Sequence, residues 1–197
     1  MSGDNSKQGA PWTDGGPSMG GAGDKSFAYR QSRKAFIAAC EKAGADAISR
    51  VHPARGPDGK PLFCDSAAFG PRLGSKGVLV AAYGAPGAGV LQALLAAPGL
   101  PPLPADTRLV LVHAADPAAF AWNDAGHSDE GWNAVTLAAV AAEDLRRARL
   151  LRILGLGGAA AFAAPAGARV ATSQIPPDGR AKASILAAIA GLSDSGL

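Results

Sequence analysis

Two stretches of the chain are continuously apolar: Val78-Leu79-Val80-Ala81-Ala82, and Leu109-Val110-Leu111-Val112, which closes on His113. Unbroken runs of this length are the mark of strands covered on both faces. Between them Val90, Leu91, Leu94 and Leu95 recur at helical spacing. The segment therefore predicts a strand, a Gly/Pro loop, a helix and a second strand. Such a β-α-β unit has parallel strands and a right-handed crossover. Tyr83 to Gly89 would form the loop at the carboxyl edge of the first strand, the place where open α/β sheets bind ligands.

The rest of the pattern fits around this unit. Phe27, Phe36, Ile37 and Cys40 mark an amphipathic helix over Ser26–Ala43, stopped by Gly44. Ala47–Val51 and Leu62-Phe63-Cys64 flank the turn residues Gly56-Pro57-Asp58-Gly59, which predicts a hairpin. Pro98 to Pro104 is too rich in proline for a helix or an inner strand. Asp116–Gly131 reads as irregular, and Val135, Leu137, Val140 and Leu145 predict one helix over Asn133–Leu154, broken by Gly155-Leu156-Gly157-Gly158. A short strand over Arg169–Thr172 and a closing helix carried by Ile185, Leu186, Ile189 and Leu192 complete the chain. The fold class expected is α/β, a small mixed or mostly parallel sheet flanked by helices. Residues 1–25, poor in large apolar side chains, are expected to be a disordered tail, with 26–197 as a single domain.

Composition narrows the function without naming it. The 197 residues carry a net charge of +3, and the one local basic cluster is Arg146, Arg147, Arg149 and Arg152. At the end of the long helix these arginines would complement the macrodipole, so no nucleic-acid partner is expected. Ile153–Ala168 is uncharged but shorter than the ~18 apolar residues of a membrane span, and no membrane association is expected. Cys40 and Cys64 stand in no metal-ligand spacing, and no apolar segment follows the first residues. A cytoplasmic protein is expected.

Over residues 29–122 the chain resembles a bacterial zinc-carboxypeptidase-like family of unknown function. The likeness rests on Tyr29, Phe36 and Ala43-Gly44-Ala45, then His52-Pro53, Gly56-Pro57-Asp58-Gly59, Leu62 and Asp65. It continues through Val78-Leu79-Val80 and is most specific at Asp116-Pro117-Ala118-Ala119-Phe120-Ala121-Trp122, where Pro, Phe and Trp keep the family's spacing. The resemblance implies a carboxypeptidase-like fold, here truncated. It also implies a Gly-Thr-His-Gly-x-Glu-Gly loop after the central strand, whose His and Glu bind zinc. In this sequence the Thr falls on Tyr83, the His on Gly84 and the Glu on Gly87. The family's Asn-Arg-Asn segment, whose Arg would grip a carboxylate, falls near Ala134–Thr136 and is missing too.

Tyr83, Gly84, Gly87 and Gly89 are thus the candidate binding residues of a vestigial active-site loop. No catalytic residue and no cofactor is expected. The first reading is a non-catalytic relative with a binding or structural role, toward a protein or small-molecule partner. The alternative is an active zinc peptidase or amidase with a rearranged site, for which His127, Asp129 and Glu130 are the rescue ligands. A weaker alternative is a nucleotide or phosphate binder using the Gly-rich loop, although no Lys-Ser or Lys-Thr follows it. Gly155-Leu-Gly-Gly-Ala-Ala160 matches a dinucleotide pattern, but it follows a predicted helix and reads as a helix stop. His113 is expected to hydrogen-bond backbone, with no nucleophile beside it, and His52 to be structural. Phe120 and Trp122 are expected to be buried.

Overall fold

The computed structural model describes residues 22–160 and 162–192. The expected tail lies outside the described residues, except that the first helix already begins at Ala22. In chain order the elements are α1 (Ala22–Lys42), β1 (Ala47–Arg55), β2 (Pro61–Phe69), β3 (Lys76–Ala82), α2 (Gly84–Leu95) and β4 (Thr107–His113). There follow α3 (Pro117–Trp122), a 3-10 turn at Ala125–His127, α4 (Glu130–Asp144), β5 (Leu150–Leu156), β6 (Arg169–Ile175) and α5 (Ala181–Ala190). No helix among the described residues is long and apolar enough to cross a membrane.

The described strands form one sheet of six in the order β1-β2-β4-β3-β5-β6. The two apolar runs are neighbours: Val78 pairs with Leu109 and Val80 with Leu111, in parallel. β5 and β6 extend the parallel part on the other side of β3. The hairpin β1–β2 joins β4 antiparallel. Pro53 is tolerated in β1 because this is an edge strand and its register shifts between His52 and Arg55.

Alternate residues of the inner strands feed two cores. Val78, Val80, Leu109 and Leu111 meet Phe36 and Cys40 of α1, Leu91 and Leu94 of α2, and Ile185 and Ile189 of α5. Leu79, Ala81, Val110 and Val112 meet Leu137, Val140 and Leu145 around α4. The sheet is therefore sandwiched between α1, α2 and α5 on one face and α4 on the other. Each strand position is apolar because both its faces are covered.

Three sequence expectations change. The Gly-rich segment is not a loop: Gly84 turns the chain with a φ of +71° and Gly84–Gly89 form the first turns of α2. Pro86 suits that place, since an amide in a first helical turn has no intrahelical partner to lose. Asp116–Gly131 is not irregular either, because Asp116 and Asp129 cap α3 and α4 through the amides of Ala119 and Trp132. The helix expected to run to Leu154 ends at Asp144, and its second half is strand β5. Arg146, Arg147 and Arg149 lie in the connecting turn rather than at a helix end. Arg152 lies on β5 with its guanidinium against the C-terminal end of α5 near Gly191. Gly155 and Leu156 are thus the end of strand β5 rather than a helix stop, and no helix among the described residues follows before β6, so no dinucleotide motif is formed.

Candidate functional site

After β3 the chain passes to α2 on one face of the sheet, and after β4 it passes to α4 on the other. Loops leaving adjacent parallel strands toward opposite faces open a crevice at the strands' carboxyl ends. A cleft of about 480 Å³ lies there. Tyr83 from the end of β3, Asp116 from the end of β4, Gly158 after β5, and Ser128, Glu130 and Asn133 around the start of α4 line it. Ala134, Leu137 and Ala159 supply its apolar wall. Ala114, directly after β4, holds a left-handed φ of 52°. Backbone strain of this kind in a non-glycine residue concentrates at functional sites. A larger groove, about 680 Å³, sits at the opposite end of the sheet among Phe69, Leu95, Leu100, Leu103 and the prolines between them. It is mainly apolar and away from the strands' carboxyl ends.

Polar groups of the cleft are held by short local bonds. Asp116 accepts from the Ala119 amide at 3.0 Å and from the Ser128 hydroxyl. The Tyr83 hydroxyl donates to the Ala159 carbonyl at 3.2 Å, and burial pushes its pKa up to about 12. Its ring lies flat against the backbone of Gly158, where an added Cβ would come within 2.6 Å of it. Asn133 is only 6% exposed, and its Oδ1 is buried without a hydrogen-bond partner.

The four residues of the expected vestigial loop do not stay together. Tyr83 lines the cleft, whereas Gly84 and Gly87 lie in α2 and Gly89 sits exposed further along that helix. Gly87 is packed so closely on β5 that a Cβ would stand 2.7 Å from the Leu156 carbonyl oxygen. The rescue ligands also part. His127 stacks on Trp122, rings 4.4 Å apart, with its Nδ1 3.3 Å from Asp124. Asp129 is spent on capping α4, and Glu130 alone of the three lines the cleft. Among the described residues no three His, Cys, Asp or Glu side chains gather as a metal site.

Sequence reasoning missed a buried polar network beside α1. His113 does not bond backbone: its Nε2 is 2.9 Å from the Ser32 hydroxyl and its Nδ1 3.8 Å from Asp65. The Arg33 guanidinium donates to both carboxylate oxygens of Asp65, at 2.9 and 3.0 Å, and Ser49 donates to the same carboxylate. Ser, His and Asp in this order evoke a hydrolytic triad. The geometry argues otherwise: Gln92 also holds the Ser32 hydroxyl, at 3.1 Å. His113 is fully buried under Tyr29, Phe36 and Phe120. The network pins α1 to β2 and β4. Burial pushes the Asp65 carboxyl up, and its contacts with His113, Ser49 and Arg33 outweigh burial and hold its pKa below the usual value. His52 is buried, with Nδ1 accepting from the Ala54 amide at 3.0 Å and its ring edge-on to Trp132, while its Nε2 is buried without a partner.

Trp122 departs from expectation. Phe120 is buried at 6% exposure, but Trp122 is only half-buried, because its ring lies on His127 at the rim and its Nε1 reaches the Arg55 carbonyl at 3.4 Å.

Among solved structures the chain is similar to glutaminyl cyclases and to a Zn-dependent exopeptidase. The cyclase of Fimbriiglobus ruber is 9% identical with a TM-score of 0.46, over 68% of this chain and 58% of that one. The cyclase of Porphyromonas gingivalis is 15% identical with a TM-score of 0.41, over 70% and 59%. The exopeptidase of Parabacteroides distasonis is 12% identical with a TM-score of 0.35, over 68% and 58%. The matched region thus spans less than two thirds of these proteins. No curated protein matches the sequence. The profile of one family matches residues 26–130, more than half of the chain, so the chain belongs to the family described as "Protein of unknown function (DUF2817)".

Proposed function

We propose that this chain is a non-catalytic relative of zinc-carboxypeptidase-like enzymes, and that its carboxyl-edge cleft serves binding rather than hydrolysis. The observation that carries the reading is the packing of Gly87. In the resemblance this position holds a zinc-binding Glu, yet here even a Cβ would meet the Leu156 carbonyl at 2.7 Å. Gly84, the position of the His, has no side chain and a left-handed φ. Zinc does not fit residues that offer it no imidazole or carboxylate. A rearranged site is disfavoured because Asp129 is committed to a helix cap and His127 to Trp122. The phosphate-binding alternative loses its loop, since the Gly-rich segment is coiled into α2.

Restoring the family residues tests the argument. Gly84→His with Gly87→Glu should destabilise the fold, by about 1–3 kcal/mol for overpacking at 87 and roughly 1–2 kcal/mol for a left-handed His at 84. It should still hold no tight zinc, as read by calorimetric titration. A double variant that melts like the parent and takes up one zinc per chain would show that the positions remain a metal site.

A further inference from the structure

The two edges of the sheet are finished differently. β1 carries Arg50, Pro53 and Arg55, and its register shifts between His52 and Arg55. Such features keep an edge strand from pairing with another chain. β6 has no proline and no break in its pairing with β5, and Arg169 at its start is its single charge. Six of its seven residues are exposed. The Arg169 amide donates to the Arg149 carbonyl, and the direction of the backbone groups alternates along a strand. Arg169, Ala171, Ser173 and Ile175 therefore turn their amides and carbonyls toward β5, while Val170, Thr172 and Gln174 turn theirs outward. Among the described residues no strand lies beyond them.

We propose that β6 is the interface of a homodimer, in which the edge strands of two copies pair antiparallel about a two-fold axis at Thr172 and join the two sheets into one. An axis of this kind presents the same patch to itself. It sets Thr172 opposite Thr172 and Val170 opposite Gln174, as the hydrogen-bonded pairs of an antiparallel ladder. The three outward amides of each copy then meet the three outward carbonyls of the other. The side chains suit this partner. Threonine opposite threonine is a favourable cross-strand pair. Arg169 comes to the end of the second strand, where Ile175 leads into Asp178, and the two arginines lie at opposite ends of the seam. On the face toward α5, Ala171, Ser173, Ser184 and Ala187 are small and leave room for the second copy. The stretch before Ala22 is a poorer occupant, since it contains Pro11 and Pro17 and Thr13 is its single β-branched residue.

Sedimentation equilibrium of the full chain over a range of concentrations tests it, together with amide hydrogen exchange followed residue by residue. The parent should reach twice the mass of one chain. The amides of Val170, Thr172 and Gln174 should become protected as the dimer forms, whereas those of Ala171 and Ser173, bonded to β5, stay protected at every concentration. Thr172→Lys, at an exposed position, sets two like charges against each other at the axis and should weaken the dimer at least roughly tenfold. Thr172→Pro removes an outward amide that β5 does not use and should weaken it by a similar factor. Val51→Lys, on the exposed surface of β1, should leave the dimer intact. A parent that stays monomeric overturns the proposal, and so does a dimer that both variants at Thr172 leave unchanged. Protection of the three outward amides in a monomer would mean that the chain covers its own edge, and overturns it too.

Discussion

Replacing Asp65 with alanine should cost about 3–5 kcal/mol of folding stability, the range for breaking a buried ion pair from one side. Asp65 is fully buried and is the shared acceptor of Arg33 and Ser49, with His113 facing it. Its removal strands a guanidinium between α1 and β2. Ser32→Ala should cost only about 1 kcal/mol, the usual net worth of one hydrogen bond. Urea denaturation of both variants checks the contrast. An Asp65→Ala loss no larger than that of Ser32→Ala would mean that the network does not anchor α1. The same carboxylate gives a pH signature. Asp65 is held below its usual pKa, and so is Asp58, chiefly by its paired contacts with Arg30 at 2.7 and 2.8 Å. Groups with a depressed folded pKa contribute fully above the ordinary carboxylate range and lose that contribution as pH falls through the folded value. Stability should therefore fall progressively below about pH 4, and less steeply in Asp65→Asn, whose side chain cannot titrate.

Phe120→Ala should be the other large loss, about 3–5 kcal/mol for a buried aromatic cut back in a core. Its ring is edge-on to Tyr29 at 5.5 Å and close to His113 at 5.9 Å, in the small core that α3 shares with α1 and β2. Trp122→Ala should cost distinctly less, because that ring is only half-buried and stacks on a single exposed imidazole. Thermal melts of the two variants rank them. The reverse order would place the anchor of α3 at the rim instead of in the core.

The parts of the fold legible in the sequence are those set by local pattern. Val78–Ala82 and Leu109–Val112 are apolar at every position because helices cover both faces of those strands, and that signal survives without any knowledge of partners. β5 escaped because Arg149 stands directly before it and Arg152 interrupts its pattern, while the apolar spacing of α4 continues through Leu145 toward it. Only the tertiary position of Arg152, against the end of α5, explains a charge in an inner strand. The Gly/Pro segment after β3 reads as a loop by composition. It is helical because Gly87 lets α2 approach the Leu156 carbonyl, a contact with a strand nearly seventy residues away. The site was half legible. Tyr83 and Glu130 could be singled out from their places in the chain, whereas Asn133 and the Ser32–His113–Asp65 network could not. Ser32 and His113 lie 81 residues apart, and no spacing in the sequence announces such a pair.

The central claim, that the metal chemistry of the resemblance is lost, is tested most directly by equilibrating the purified protein with zinc, dialysing it and measuring the metal retained. The account predicts zinc far below one equivalent and no peptidase or amidase activity, since Gly84 and Gly87 offer no ligands and His127, Asp129 and Glu130 do not converge. One zinc retained per chain, lost together with a hydrolytic activity in His127→Ala, would contradict it.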